Sequence, residues 1–165
     1  MPNQSDRQRR RELVHAFRQQ PQPLIEAISR TFELPPHDPT RIRPYVPSAL
    51  DPGLLAMIGP TPLAWQVELV EPRGARFGVL LDVVGQLGPA RIHGWPLWRA
   101  HARVELGGPC WLAVCPLDAS LVDEIRRAFD LEPAHLPVIV TPDAKVLDIP
   151  RRPSAPPPLT VHVRA

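Results

Sequence analysis

Lysine is almost missing from this chain: Lys145 stands alone among 19 basic residues. An arginine bias of that kind reflects base composition rather than a function. The excess charge is also small, at +2 with a pI near 8.9, which permits nucleic-acid binding without arguing for it. Cysteine is nearly as scarce. Cys110 and Cys115 lie five apart in CWLAVC, a spacing that on a strand turns them to opposite faces and predicts neither a local disulfide nor a metal knuckle. Buried free thiols in a reducing compartment are the expectation. No apolar run approaches the ~20 residues that cross a bilayer. The Arg-rich N-terminus carries no apolar signal region, so the expectation is a cytoplasmic protein without a membrane partner. Serine is sparse, and GxGxxG, Walker A and GxSxG patterns are absent, which removes the usual phosphate loops and nucleophile elbow.

Proline is abundant instead, at 24 of 165 residues. It gathers at 35–62, 133–142 and 150–158, where missing donors and fixed φ angles punctuate the fold. Dense apolar runs lie between these regions and predict a core of ordinary size. One domain over residues 1–150 is expected, followed by a Pro-rich linker and an edge strand or tail over 151–165.

Hydrophobic spacing predicts the elements. A helix from Ser5 to Gln20 is expected, capped by Ser5 or Asp6, and a second from Pro23 to Phe32. The prolines of 33–62 argue against long regular elements there, with a short extended piece at Ile42–Val46. Leu63–Glu71 alternates as a strand, Pro72–Ala75 turns, and Phe77–Val84 returns as a central strand apolar on both faces. A loop over Gly85–Gly94, a helix Trp95–Leu106 and a strand Cys110–Cys115 follow. Next come a helix from Asp118 or Ser120 to Phe129, short strands at Pro137–Thr141 and Val146–Ile149, and a final edge strand at Leu159–Val163. Pairing of that edge strand between two copies is one route to a homodimer. This order predicts an α/β fold with a mixed β-sheet flanked by helices.

Asp82 lies inside VLLDVV, where a buried carboxylate must be neutralised, paired or metal-bound. Hairpin arithmetic about Arg73 and Gly74 sets Gln66 or a neighbour opposite Asp82, with Glu68 in diagonal reach. Two carboxylates from adjacent strands suit a hard divalent cation. The alternatives are a structural Asp82 and a solvent-facing Glu68. Arg7, Arg9, Arg10 and Arg11 read as a phosphate-touching cluster or a solvated helix face. Trp95, Trp98 and Trp111 read as base-stacking groups or as core. His93 and His101 show no ligand spacing.

FGVLLDVV, a Gly/Pro loop with a basic residue, WPLWRAHARVEL and CWLAVCPLD together resemble PD-(D/E)XK nuclease-like proteins, and among them bacterial recombination-promoting nuclease or transposase-like proteins. HAFRQQPQPLIEAI resembles their N-terminal helical pair, so the likeness runs from about Leu13 to Ile149. It implies a restriction-endonuclease-like sheet and an activity derived from metal-dependent DNA phosphodiester hydrolysis, with Mg²⁺ or Mn²⁺ as cofactor. In that likeness Asp82 takes the place of the metal-binding Glu and Val84 that of the Gln or Lys which positions water. Arg91 falls where relatives carry a basic loop residue that would contact nucleic acid, and Trp95-Pro96 matches their Trp-Pro. The upstream catalytic Asp would fall near Trp65 or Gln66, where no carboxylate stands. Glu68 as a second metal ligand, and Gln86 re-aimed by a bulge at Gly85, are the available replacements. The implied alternative is a non-catalytic scaffold that binds DNA or a protein partner.

Overall fold

The computed structural model describes residues 3–128 and 137–148. Its sequence of elements is α1 (Gln4–Gln19), α2 (Gln22–Thr31), β1 (His37–Pro44), α3 (Pro52–Ile58), β2 (Leu63–Leu69), β3 (Arg76–Val84), α4 (Pro89–Leu106), β4 (Cys110–Pro116), α5 (Ser120–Ala128), β5 (Val138–Val140) and β6 (Val146–Asp148). The strands form one mixed sheet in the order β1-β2-β3-β4-β5-β6. β1, β2 and β3 pair antiparallel, β3, β4 and β5 pair parallel, and β6 closes antiparallel on β5. The expected mixed sheet flanked by helices is present.

Period-2 alternation divides the core between the two faces of this sheet. On one face Trp65, Val67, Phe77, Val79, Leu81 and Val83 pack against Phe17 of α1 and Leu24, Ile25 and Ile28 of α2. On the other, Ala64, Leu80, Val84, Leu112 and Val114 pack against Ile58 of α3, Trp95, Trp98 and Ala102 of α4, and Leu121 and Ile125 of α5. β3 is buried from Phe77 onward on both faces, as its unbroken apolar run predicts.

Several local expectations need correcting. α1 is capped by Asn3, whose side chain accepts from the Ser5 amide, rather than by Ser5 or Asp6. The proline-rich 33–62 region holds two regular elements. β1 is an edge strand with an irregular register between His37 and Ile42, and an edge tolerates Pro39 and Pro44 because one side of it needs no ladder donors. α3 is short and fully signposted: Asp51 accepts from the amides of Gly53 and Leu54, Pro52 opens the helix, and Gly59 ends it at φ +74°. Such a Pro start and Gly stop are the usual punctuation of a helix. α4 begins at Pro89 rather than Trp95, so Arg91 and His93 are helical. Proline suits that first turn, where no intrahelical donor is required. The expected ends at Phe129 and Ile149, the Leu159–Val163 strand and the 151–165 tail fall outside the described residues. Among the described residues no helix is long and apolar enough to cross a membrane.

Candidate functional site

β3 delivers Asp82 onto the face covered by α4, between Leu80 and Val84. The side chain is 4% exposed and is the only buried charged residue among those described. Trp95 Nε1 donates to its Oδ2 at 2.8 Å. Arg91 Nε stands 3.1 Å from the same oxygen as an ion pair, off the axis of a well-formed hydrogen bond. The Arg91 guanidinium also donates to the Gln86 carbonyl at 3.2 Å, which fixes it over the β3–α4 loop. Arg10 of α1 donates from Nε to the Val83 carbonyl at 2.8 Å and adds positive potential at the same strand end.

Burial pushes the Asp82 carboxyl above the usual carboxylate range, and Arg91 first, then the Trp95 hydrogen bond, then Arg10 pull against it. Desolvation outweighs the three because the group has lost nearly all its water, while Arg91 sits in a more polar position. One carboxylate, one guanidinium and one indole N–H thus close on each other. Such a set satisfies a buried charge, but it offers a cation no second anionic ligand.

Glu68 is elsewhere. The hairpin pairs Glu68 with Arg76, Gln66 with Gly78 and Leu63 with Leu81. The turn occupies 70–74, and Leu69 bonds to Ala75 across it. It is therefore centred near Pro72 and not between Arg73 and Gly74. That difference slides the partner of Asp82 past the last paired residue of β2, to the level of Pro62. Asp82 lies six positions along β3 from the partner of Glu68, or about 20 Å at the usual strand rise. Parity puts both on the same nominal face, but at opposite ends of the hairpin. Glu68 instead pairs with Arg41 of β1 at 2.5 Å, on a partly exposed surface. The two carboxylates do not converge, and the expected two-carboxylate metal site is not assembled.

The other replacement also fails geometrically. β3 and β4 stay in step through Val83 with Cys115 and Val84 with Pro116, so no bulge at Gly85 re-aims Gln86. The Gln86 side chain is exposed, and its contribution to this cluster is its backbone carbonyl. Trp65, at the expected place of an upstream acid, is buried on the α1–α2 face. Among the described residues no group of three His, Cys, Asp or Glu side chains is placed to hold a metal ion. Burial lifts both cysteine thiols to about 12, which leaves them unreactive.

Comparison with protein-family models, curated proteins and solved structures found no match to this chain. The site must be read from its own chemistry. Two of its members were not legible in sequence: the role of Trp95 as a donor to Asp82, and the reach of Arg10 to the end of β3. The first depends on the crossover bringing the start of α4 back over the strand that precedes it. The second depends on α1 packing against the opposite face of the same strand.

Proposed function

We propose that this chain is a restriction-endonuclease-like scaffold, derived from a PD-(D/E)XK nuclease, that no longer hydrolyses phosphodiesters and works by binding. The observation that carries the reading is the closure of Asp82 by Arg91 and Trp95. Metal-assisted hydrolysis needs a cation held where it can activate water and absorb charge at phosphorus. Here the arginine guanidinium occupies the place beside Asp82 that such a cation would need, and Glu68 is turned away into its own ion pair with Arg41.

The strand–helix–strand crossover supports the derivation from a nuclease, because the residues that would have served it fall at the C-terminal end of β3, where open sheets of this kind place their ligands. The partner is DNA or a protein. Arg7 and Arg11, four apart on α1, are both exposed and supply a positive face that a duplex would use.

Incubation of supercoiled and linear DNA with the folded protein and Mg²⁺ or Mn²⁺ tests the first half of this reading. No cutting above that of an Asp82→Ala control is expected. Metal-dependent cutting that disappears in the variant would overturn it and restore Asp82 as a ligand. Duplex binding measured at low and raised salt tests the second half: a steep salt dependence marks a DNA-binding module, and no binding marks a protein-binding one.

A further inference from the structure

The outward face of α4 departs from the pattern of a surface helix, which sets charged residues opposite its core-facing stripe. His93, Leu97, Ala100 and Val104 are all exposed and recur at intervals of four, three and four. That is the spacing of a helix-pairing seam. The seam points away from the sheet, opposite Trp95, Trp98 and Ala102, which pack against β3 and β4. The charged side chains of α4 are drawn off to its flanks. Arg91 pairs with Asp82, Arg99 donates to the Cys110 carbonyl at 2.9 Å, and Glu105 accepts from the Ser48 amide at 2.9 Å. Arg103 stands about a quarter-turn from the centre of the seam.

The neighbouring segment extends this apolar surface. Ser48 is bonded to Glu105 near one end of α4, and the Ile58 carbonyl closes on Gly94 towards the other, so residues 48–58 run alongside the helix. Val46 and Val104 are each 82% exposed and Met57 69%, with Leu54 and Leu97 less so. These are five of the seven large hydrophobic side chains exposed among the described residues. Single exposed hydrophobics are ordinary, but their concentration on one side of a molecule marks an interaction surface. Helix α4 is ~27 Å long and ~10 Å across, and the segment beside it about doubles that width, so the face approaches the ~800 Å² per partner of a standard interface.

We propose that this face joins two copies of the chain, with α4 packed antiparallel on α4. The seam is complementary to itself. A two-fold axis between Trp98 and Arg99 sets each Leu97 over the partner's Ala100 and each Val104 against the partner's His93. A large side chain thus meets a small one, as interdigitating layers require. The same axis brings like flanks together, so each α3 lies beside its counterpart and Leu54 and Met57 extend the contact. A parallel pairing would instead stack Ala100 on Ala100 and leave a gap, with Arg103 beside Arg103. The antiparallel pairing holds the two Arg103 side chains ~13 Å apart along the helices, beyond a Debye length at physiological salt. A contact of this self-paired kind closes at two copies. The inference does not rest on the binding role proposed above.

Sedimentation velocity of the full chain across micromolar concentrations is the test. The wild type is expected to sediment as a dimer. Leu97→Asp and Val104→Asp each set a carboxylate in the seam and are expected to weaken association at least ~100-fold. Both positions are exposed, so circular dichroism is expected to show each variant folded. Cross-linking reads the register, and the buried native thiols of Cys110 and Cys115 do not compete. An oxidised mixture of Leu97→Cys and Ala100→Cys chains is expected to give a disulfide-linked dimer, whereas Val104→Cys alone is not. Should an aspartate variant unfold, this cross-linking pattern decides. A wild type that stays monomeric, or a dimer that both folded aspartate variants retain, would overturn the interface. Cross-linking of Val104→Cys alone would overturn the antiparallel register.

Discussion

Asp82 shows how one side chain can belong to a fold and still carry the mark of a site. Its oxygen accepts from Trp95 and faces Arg91, so removing the carboxylate also removes what those two groups hold. Asp82→Ala is expected to cost about 1–3 kcal/mol, and Trp95→Phe a similar amount through the lost charge-assisted bond. Asp82→Asn keeps an acceptor and sheds a desolvated charge, so a change within ~1 kcal/mol of wild type is expected at neutral pH. Chemical denaturation of the three variants measures the order. The sign of the pH effect follows from the raised carboxyl. Between its ordinary and its raised value the folded chain binds more protons than the unfolded one, so stability falls as pH rises through that window. Wild type is expected to lose stability relative to Asp82→Asn as pH climbs above the ordinary carboxylate range, and the gap then levels off. A constant gap across pH would mean that burial does not raise the Asp82 carboxyl above its ordinary range.

Elements meet most tightly where α3 crosses the first turns of α4. A Cβ on Gly94 would stand 1.7 Å from the Ile58 carbonyl oxygen, a contact no rotamer change relieves because the obstacle is backbone. Gly94→Ala is expected to force α3 off α4 and to destabilise by at least about 1–3 kcal/mol, as overpacking does. Gly88→Ala is the control. It sits at the start of the same helix with nothing within 4 Å of the added carbon, and less than ~1 kcal/mol is expected. Thermal melts of the pair separate close packing from a general dislike of alanine. The same crossing explains why Gly94 read as a loop residue in sequence. Its requirement comes from another helix, not from its own backbone angles.

Across the whole molecule, β3 and β4 are covered on both faces, so neither helical layer can leave without stripping the sheet. Leu81 belongs to the α1–α2 layer and Leu80 to the α4–α5 layer, both essentially unexposed. Either one changed to Ala is expected to cost about 2–5 kcal/mol. Tryptophan fluorescence can watch the layers separately, because Trp65 and Trp111 lie on the first face and Trp95 and Trp98 on the second. A protein keeping only Trp65 and Trp111 and a protein keeping only Trp95 and Trp98 are expected to unfold with coincident midpoints, as a single cooperative unit does. Separate midpoints would mean two independently stable layers.

Sequence by itself determined the elements whose signals are local. Alternation marked β2, a run apolar on both faces marked β3, and three-to-four spacing marked α1, α2 and α5. Even α3 was punctuated by Asp51, Pro52 and Gly59, though the surrounding prolines masked it. Only the tertiary structure decided which of these residues meet. The hairpin register is set by a turn centred near Pro72, and a displacement of a few residues there moved Glu68 to the far end of the sheet from Asp82. Pairing across a strand, a crossover or two helix faces depends on distances summed over many residues. Small errors in a local reading therefore grow into different neighbours. The choice of Arg91 and Trp95 as partners of Asp82 belongs to that long-range arithmetic.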